Sequence, residues 1–163
     1  MNILILIDQT TDPLKLFSKT LASSLAGNHS TRIVPAMDAT VADWNRADCV
    51  LLGFTYSSAH PVIEIETFLA SQSPENMVGK NIAIFQVQSH EDAPLSAAYG
   101  YGLTRRLGDQ GVSLLGSPIV FFCDGAAAHD REGELMRVSQ WTSRIVKGYI
   151  PPNLNSWRFA RGN

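Results

Sequence analysis

The chain predicts an α/β fold, a three-layer sandwich in which a five-stranded parallel sheet is covered by helices on both faces. Three observations predict it. Apolar β-branched runs such as Ile3 to Ile7 and Cys49 to Phe54 read as strands buried on both sides. Segments with apolar residues at steps of three and four separate them, so strands and amphipathic helices alternate. The chain has 163 residues, 45% of them hydrophobic and 17% charged, which suits one domain with a sizeable core and argues against disorder.

Each element follows in order. Ile3 to Ile7 is the first strand, ending in the polar loop Asp8-Gln9-Thr10-Thr11-Asp12. Pro13 fits a first helical turn with Asp12 as N-cap, and Leu14, Phe17, Leu21 and Leu25 form one apolar stripe. Gly27-Asn28 stops this helix, and Thr31 to Val34 is the second strand. Asp43 to Asp48 is a short helical turn before the third strand, Cys49 to Phe54. The loop Thr55-Tyr56-Ser57-Ser58-Ala59-His60 follows, and Pro61 opens a helix with Val62, Ile65 and Leu69 on one side. Gly79-Lys80 turns into the fourth strand, Ile82 to Val87, whose exit is Gln88-Ser89-His90-Glu91-Asp92. A helix from Pro94 to Leu107 turns Leu95, Tyr99, Leu103 and Leu107 inward. Val112 to Phe122 is a long last strand, broken at Gly116-Ser117-Pro118, where proline implies a bulge or an edge. Asp124-Gly125 is a loop and helix cap before the last helix, Arg131 to Lys147, with Leu135, Val138, Thr142 and Ile145 on one face. Residues 1–150 thus form one domain. Residues 151–163 form a tail whose Trp157, Arg158, Phe159 and Arg161 are of the kind that anchor interfaces, so the tail either docks, as in a homo-oligomer, or is disordered.

Composition excludes several classes. A formal net charge of -2 provides no field to recruit nucleic acid or an anionic membrane. No apolar run reaches the length of a span, and Ile3 to Ile7 lacks the flanks of a signal peptide. Cys49 and Cys123 have neither pairing nor metal spacing, which points to free thiols and a cytoplasmic setting. The first loop contains no glycine, so neither a GxGxxG dinucleotide loop nor a GxxxxGK[ST] phosphate loop is present. A nucleophile-elbow GxSxG is absent. A phospho-acceptor receiver domain needs an acidic pair after strand one, an aspartate ending strand three and a lysine ending strand five; here Asp8 is followed by Gln9 and the strands end at Gly53-Phe54 and Cys123-Asp124, so two of the three requirements fail outright.

With five strands and no dinucleotide loop, the order 2-1-3-4-5 is expected. It gathers the loops at Asp8–Pro13, Thr55–Pro61 and Gln88–Pro94 around one crevice at the carboxyl ends of the strands. Leu51-Leu52-Gly53-Phe54-Thr55-Tyr56-Ser57-Ser58-Ala59-His60-Pro61 resembles the third-strand exit of flavodoxins. Gly79-Lys80-Asn81-Ile82-Ala83-Ile84-Phe85 resembles their fourth-strand entry, and Asp109-Gln110-Gly111-Val112 their turn into the last strand. The resemblance spans about residues 1 to 148 and implies FMN and electron transfer or flavin-dependent reduction, with a redox partner protein or a small acceptor. It implies that Thr10 and Thr11 hold the phosphate. Thr55, Tyr56, Ser57 and Ser58 would then meet the ring, Tyr56 by stacking, and Gln88, Ser89 and His90 would line its other edge.

The first loop departs from the [ST]-x-T-G-x-T pattern of flavodoxins, since Asp8 and Asp12 flank its two threonines. That motivates an alternative, a non-flavin binding or interaction module on the same scaffold. A third class, a small-molecule or metal-assisted hydrolase, would use Asp8, Asp12, His90 and Asp92. Separate caps and turns account for those aspartates without a metal.

Overall fold

The computed structural model describes residues 1–9, 11–57, 59, 61–124 and 128–149, with the backbone alone for 128–130. The tail from 150 onward lies outside the described residues, as do Thr10, Ser58 and His60.

Six strands and six α-helices follow in the order β1 (Asn2–Ile7), α1 (Asp12–Leu25), β2 (Ser30–Pro35), α2 (Val41–Arg46), β3 (Cys49–Phe54), α3 (Glu64–Ala70), α4 (Pro74–Met77), β4 (Asn81–Gln88), α5 (Ala93–Asp109), β5 (Ser113–Leu114), β6 (Ile119–Phe122) and α6 (Ala128–Gly148). A short 3-10 turn, Ala36–Asp38, links β2 to α2. All pairings are parallel, in the order β2-β1-β3-β4-β5, and β6 also pairs β4. The predicted long last strand is therefore two short ones in a single sheet position. Gly116, at φ 96, and Pro118 interrupt the ladder between them, because proline donates no N–H.

Alternation along the central strands divides the core between two faces. Leu4, Leu6, Val50, Leu52, Ile82 and Ile84 face Trp44, Ile65, Leu103 and Leu107. Ile3, Ile5, Ile7, Leu51, Ala83 and Phe85 face Leu14, Phe17, Leu21, Val138, Trp141 and Ile145. Every residue of β3 and β4 is buried, which explains why β3 reads as a continuous apolar run, while β4 also buries Asn81, Gln86 and Gln88. Gly53 has a packing reason. A Cβ there would lie 2.1 Å from the Phe85 ring, which crosses the sheet at that point.

Several expected boundaries move. Thr11 is the N-cap of α1, and Asp12 is the first helical residue, exposed and 3.9 Å from Lys15. The helix after Pro61 begins at Glu64, since Pro61 to Ile63 stay non-helical. Leu95 is exposed (56%), and α5 buries Ser96, Gly100, Leu103 and Leu107 instead. The buried glycine lets α5 approach β4 so closely that a Cβ on Gly100 would lie 1.9 Å from the Gln86 amide. The buried stripe runs Ser96, Gly100, Leu103 and Leu107, at steps of three and four that leave Leu95 on the outer face.

Candidate functional site at the carboxyl ends of the strands

The crevice is built by sheet order. Ile7 pairs with Gly53, so the exits of β1 and β3 are neighbours, and the Asp8 N–H donates to the Gly53 carbonyl at 2.9 Å. The same adjacency brings the first turn of α3 against the β1–α1 loop. Asp8 Oδ1 accepts the Glu64 N–H at 3.2 Å, and Glu64 Oε2 accepts the Gln9 N–H at 3.2 Å. Gln9 has φ 51, the left-handed region, uncommon for a residue with a side chain. The Thr11 N–H is turned back onto the Gln9 carbonyl at 3.0 Å.

Asp8 is 2% exposed, and its Oδ2 has no hydrogen-bond partner. Burial pushes its carboxyl above the usual range, against the lowering effect of the Glu64 N–H. The Glu64 carboxylate adds to the rise. Thr55 Oγ1, at the exit of β3, is likewise buried without a partner. Two unsatisfied oxygens thus sit on adjacent strand exits, at the end of the sheet where this fold class binds ligands.

On the β3 and β4 side, Tyr56 stacks on Tyr99 of α5, with centroids 4.7 Å apart and planes 11° from parallel. Tyr99 meets Phe54 edge-on at 5.3 Å. The Tyr99 hydroxyl donates to Glu66 Oε1, which also accepts from Arg106. Burial first, and then Glu66, push the Tyr99 phenol pKa upward. One face of the Tyr56 ring is therefore covered by the protein.

Gln88 is buried (1% exposed) and donates to Ser96 Oγ at 2.9 Å, while Ser96 donates to Gln86 Oε1. Its side chain is thus bound to α5. Ser89 and Asp92 bond each other across the turn, with Ser89 Oγ donating to Asp92 Oδ2 at 3.1 Å and accepting the Asp92 N–H at 3.3 Å. His90 is exposed, its ring 3.9 Å from Phe122 and nearly parallel to it. Its N–H reaches Asp124 Oδ2 at 2.9 Å, and its Nδ1 lies 2.7 Å from Asp124 Oδ1. Those contacts, the backbone N–H foremost, hold the Asp124 carboxyl below its usual range. Asp124, read from the sequence as a helix cap, therefore ties the β4 exit to the β6 exit.

The nine expected site residues thus divide. Thr10 and Ser58 lie outside the described residues. Thr11, Thr55, Tyr56, Ser57, Ser89 and His90 are at the carboxyl end of the sheet, and Gln88 ends β4 but turns into the core. Sequence reasoning missed Glu64 and Tyr99. Glu64 was legible through topology, because the order 2-1-3 places the start of α3 beside the exit of β1. Among the described residues, no group of three or more His, Cys, Asp or Glu could hold a metal ion. None of their helices is long and apolar enough to cross a membrane.

FMN would need its phosphate accepted at the β1–α1 loop, and the described residues do not fit it. The Gln9 and Thr11 N–H groups already have acceptors, and Pro13 has no N–H. Asp8, Asp12 and Glu64 carry negative charge into the loop; Lys15 pairs with Asp12, and Arg131 lines the cavity beside Asp12 and Pro13. A like charge at 4 Å repels by about 1 kcal/mol in water and about 4 kcal/mol near a protein surface. A helix N-terminus returns only about 0.3–1 kcal/mol at an exposed site. Repulsion wins.

The element order and the parallel sheet β2-β1-β3-β4-β5, with helices on both sides, define a flavodoxin-like α/β fold. The structure resembles oxidised Flavodoxin 2 from Bacillus cereus, with a TM-score of 0.69 at 16% identity over 90% of this chain and 99% of that one. It also resembles two-electron reduced Megasphaera elsdenii flavodoxin, with a TM-score of 0.64 at 18% identity over 84% and 97%. A third likeness is to the rubredoxin oxygen:oxidoreductase of Desulfovibrio gigas, with a TM-score of 0.66 at 12% identity. It covers 90% of this chain and 36% of that one. At these identities the likeness is one of fold. The sequence matches no protein-family model and no curated protein.

Proposed function

We propose that this chain is a flavodoxin-fold binding module whose carboxyl-end crevice works without FMN. The observation that carries this reading is the Glu64 carboxylate on the Gln9 N–H, next to the buried carboxyl of Asp8. A loop whose Gln9 N–H is already held by a carboxylate, with Asp8 and Asp12 beside it, disfavours a phosphate. Asp8 Oδ2 and Thr55 Oγ1, buried without partners beside it, leave these strand exits poor in donors.

A second reading is FMN-dependent electron transfer to a redox partner protein or a small acceptor. The flavodoxins among the solved structures support it, as does Tyr56 at the exit of β3. Under it, Thr10, Thr11, Thr55, Tyr56, Ser57, Ser58, Ser89 and His90 would contact the cofactor.

FMN titration of the purified protein separates the two. The first reading expects colourless protein and no quenching of flavin fluorescence up to about 100 μM FMN, a range that detects any useful affinity. Stoichiometric flavin with a shifted absorption spectrum would overturn it in favour of the second.

A further inference from the structure

A parallel sheet with this order presents backbone N–H groups at the exit of β1, and Gln9 in the left-handed region turns its own N–H toward the first turn of α3. What meets it there is Glu64 Oε2 at 3.2 Å. The side chain reaches back across the loop, while its own backbone N–H is fixed by Asp8 Oδ1 at 3.2 Å. The two bonds are reciprocal, so the loop and α3 hold each other.

A second observation concerns charge balance. Asp8 is 2% exposed and has an oxygen with no donor, and Thr55 Oγ1 beside it has none either. The exits of β1 and β3 are short of donors and already hold an anion.

We infer that Glu64 is the residue that sets ligand charge at this crevice: its carboxylate is a built-in anion on the Gln9 N–H and excludes phosphate-bearing ligands. The inference rests on the reading that the crevice works without FMN, and it adds that removing this one side chain restores phosphate binding. Glu64 acts here by position and charge.

The test uses the full chain with Glu64→Ala and Glu64→Gln, with inorganic phosphate and FMN as probes. The amide resonance of Gln9 reports the loop, and a thermal melt reports folding. In the native chain, the Gln9 amide does not move in about 20 mM phosphate, since even millimolar affinity would shift it. Glu64→Ala frees the N–H and removes one charge. Phosphate then shifts the Gln9 amide, and FMN affinity rises by about tenfold or more. Glu64→Gln removes the charge but leaves an acceptor on the N–H, so its gain is smaller. It also decides the matter if the alanine variant fails to fold. Native protein that holds stoichiometric FMN overturns the underlying reading. Native protein without FMN, together with a folded variant that gains no phosphate binding, overturns the role of Glu64 alone.

Discussion

Two buried aspartates sit at opposite ends of the sheet, and their carboxyl groups are treated in opposite ways. Asp43, on the amino-end side, lies in the first turn of α2. It accepts the Thr40 N–H at 3.0 Å and the Thr40 hydroxyl at 2.8 Å, and it pairs with Arg32. Those Thr40 bonds, ahead of the Arg32 charge, draw its carboxyl below the ordinary range. Asp8, at the carboxyl end, has an unpartnered oxygen and a carboxyl that burial pushes upward. Other charged groups at the amino end are also paired within the chain. Lys80 donates to the carbonyls of Trp44 and Ala47 at 2.9 Å each, and Asp48 accepts the Asn2 N–H at 2.7 Å. The difference is one between two carboxyl groups, since buried side-chain atoms without a partner occur on the amino-end side as well, at His29 and Gln72.

The largest effect that sharpens this contrast is on the structural side. Trp44 is fully buried, packs at a tilt against Phe68 and donates to the Asn76 carbonyl at 2.9 Å. Trp44→Ala should cost about 3–5 kcal/mol in denaturant unfolding. A loss below 1 kcal/mol would mean that the amino end is not the rigid half.

Asp43→Ala comes next. It removes the capping box of α2 and leaves Arg32 without its partner. The expected loss is about 1–2 kcal/mol at neutral pH. The pH sign follows from the lowered folded value: Asp43 contributes fully above the ordinary aspartate pKa of 3.8, and its contribution disappears as pH falls through the lower folded value. A native-minus-variant stability difference that stays flat across that acid range would remove Asp43 as a cap.

The carboxyl end responds more weakly. Tyr56→Ala loses one stacked pair, and about 0.5–1.5 kcal/mol with it beyond the buried area. If Tyr56 serves mainly to pack Tyr99, ligand affinity follows stability. If it contacts an occupant, affinity drops further than the melt predicts.

How much of this was legible follows the same division. The strands were readable because burial on both faces demands continuous apolar runs, as in Cys49 to Phe54. Sheet order then brings the loops after β1, β3 and β4 to one end of the sheet. The Asp43 cap was less visible, because Thr40 and Asp43 form a capping box without the usual glutamate. Local pattern failed where a contact depends on distance in the chain. Glu64 meets Gln9 across 55 residues, and His90 meets Asp124 across 34, so neither spacing carries a periodic signal. Gln88 misled for a related reason. A polar residue at a strand exit reads as a loop donor, yet Ser96 on α5 draws its amide into the core.

The smallest expected effect has the opposite sign, and it tests the contrast most directly. Asp8→Asn keeps an oxygen to accept the Glu64 N–H and removes the buried charge. At neutral pH the native chain carries the cost of an ionised Asp8, because its folded pKa lies above 3.8. Stability from this group therefore rises as pH falls through the raised value, and it levels off below 3.8, where both states are protonated. The variant should melt slightly above the native chain at neutral pH, by up to about 1 kcal/mol, the scale of one hydrogen bond. The two should converge on acidification, whereas native and Asp43→Ala converge because the native chain loses stability. A destabilised Asp8→Asn would mean that the carboxylate is satisfied in solution, and that the two ends of the sheet do not differ as the geometry requires.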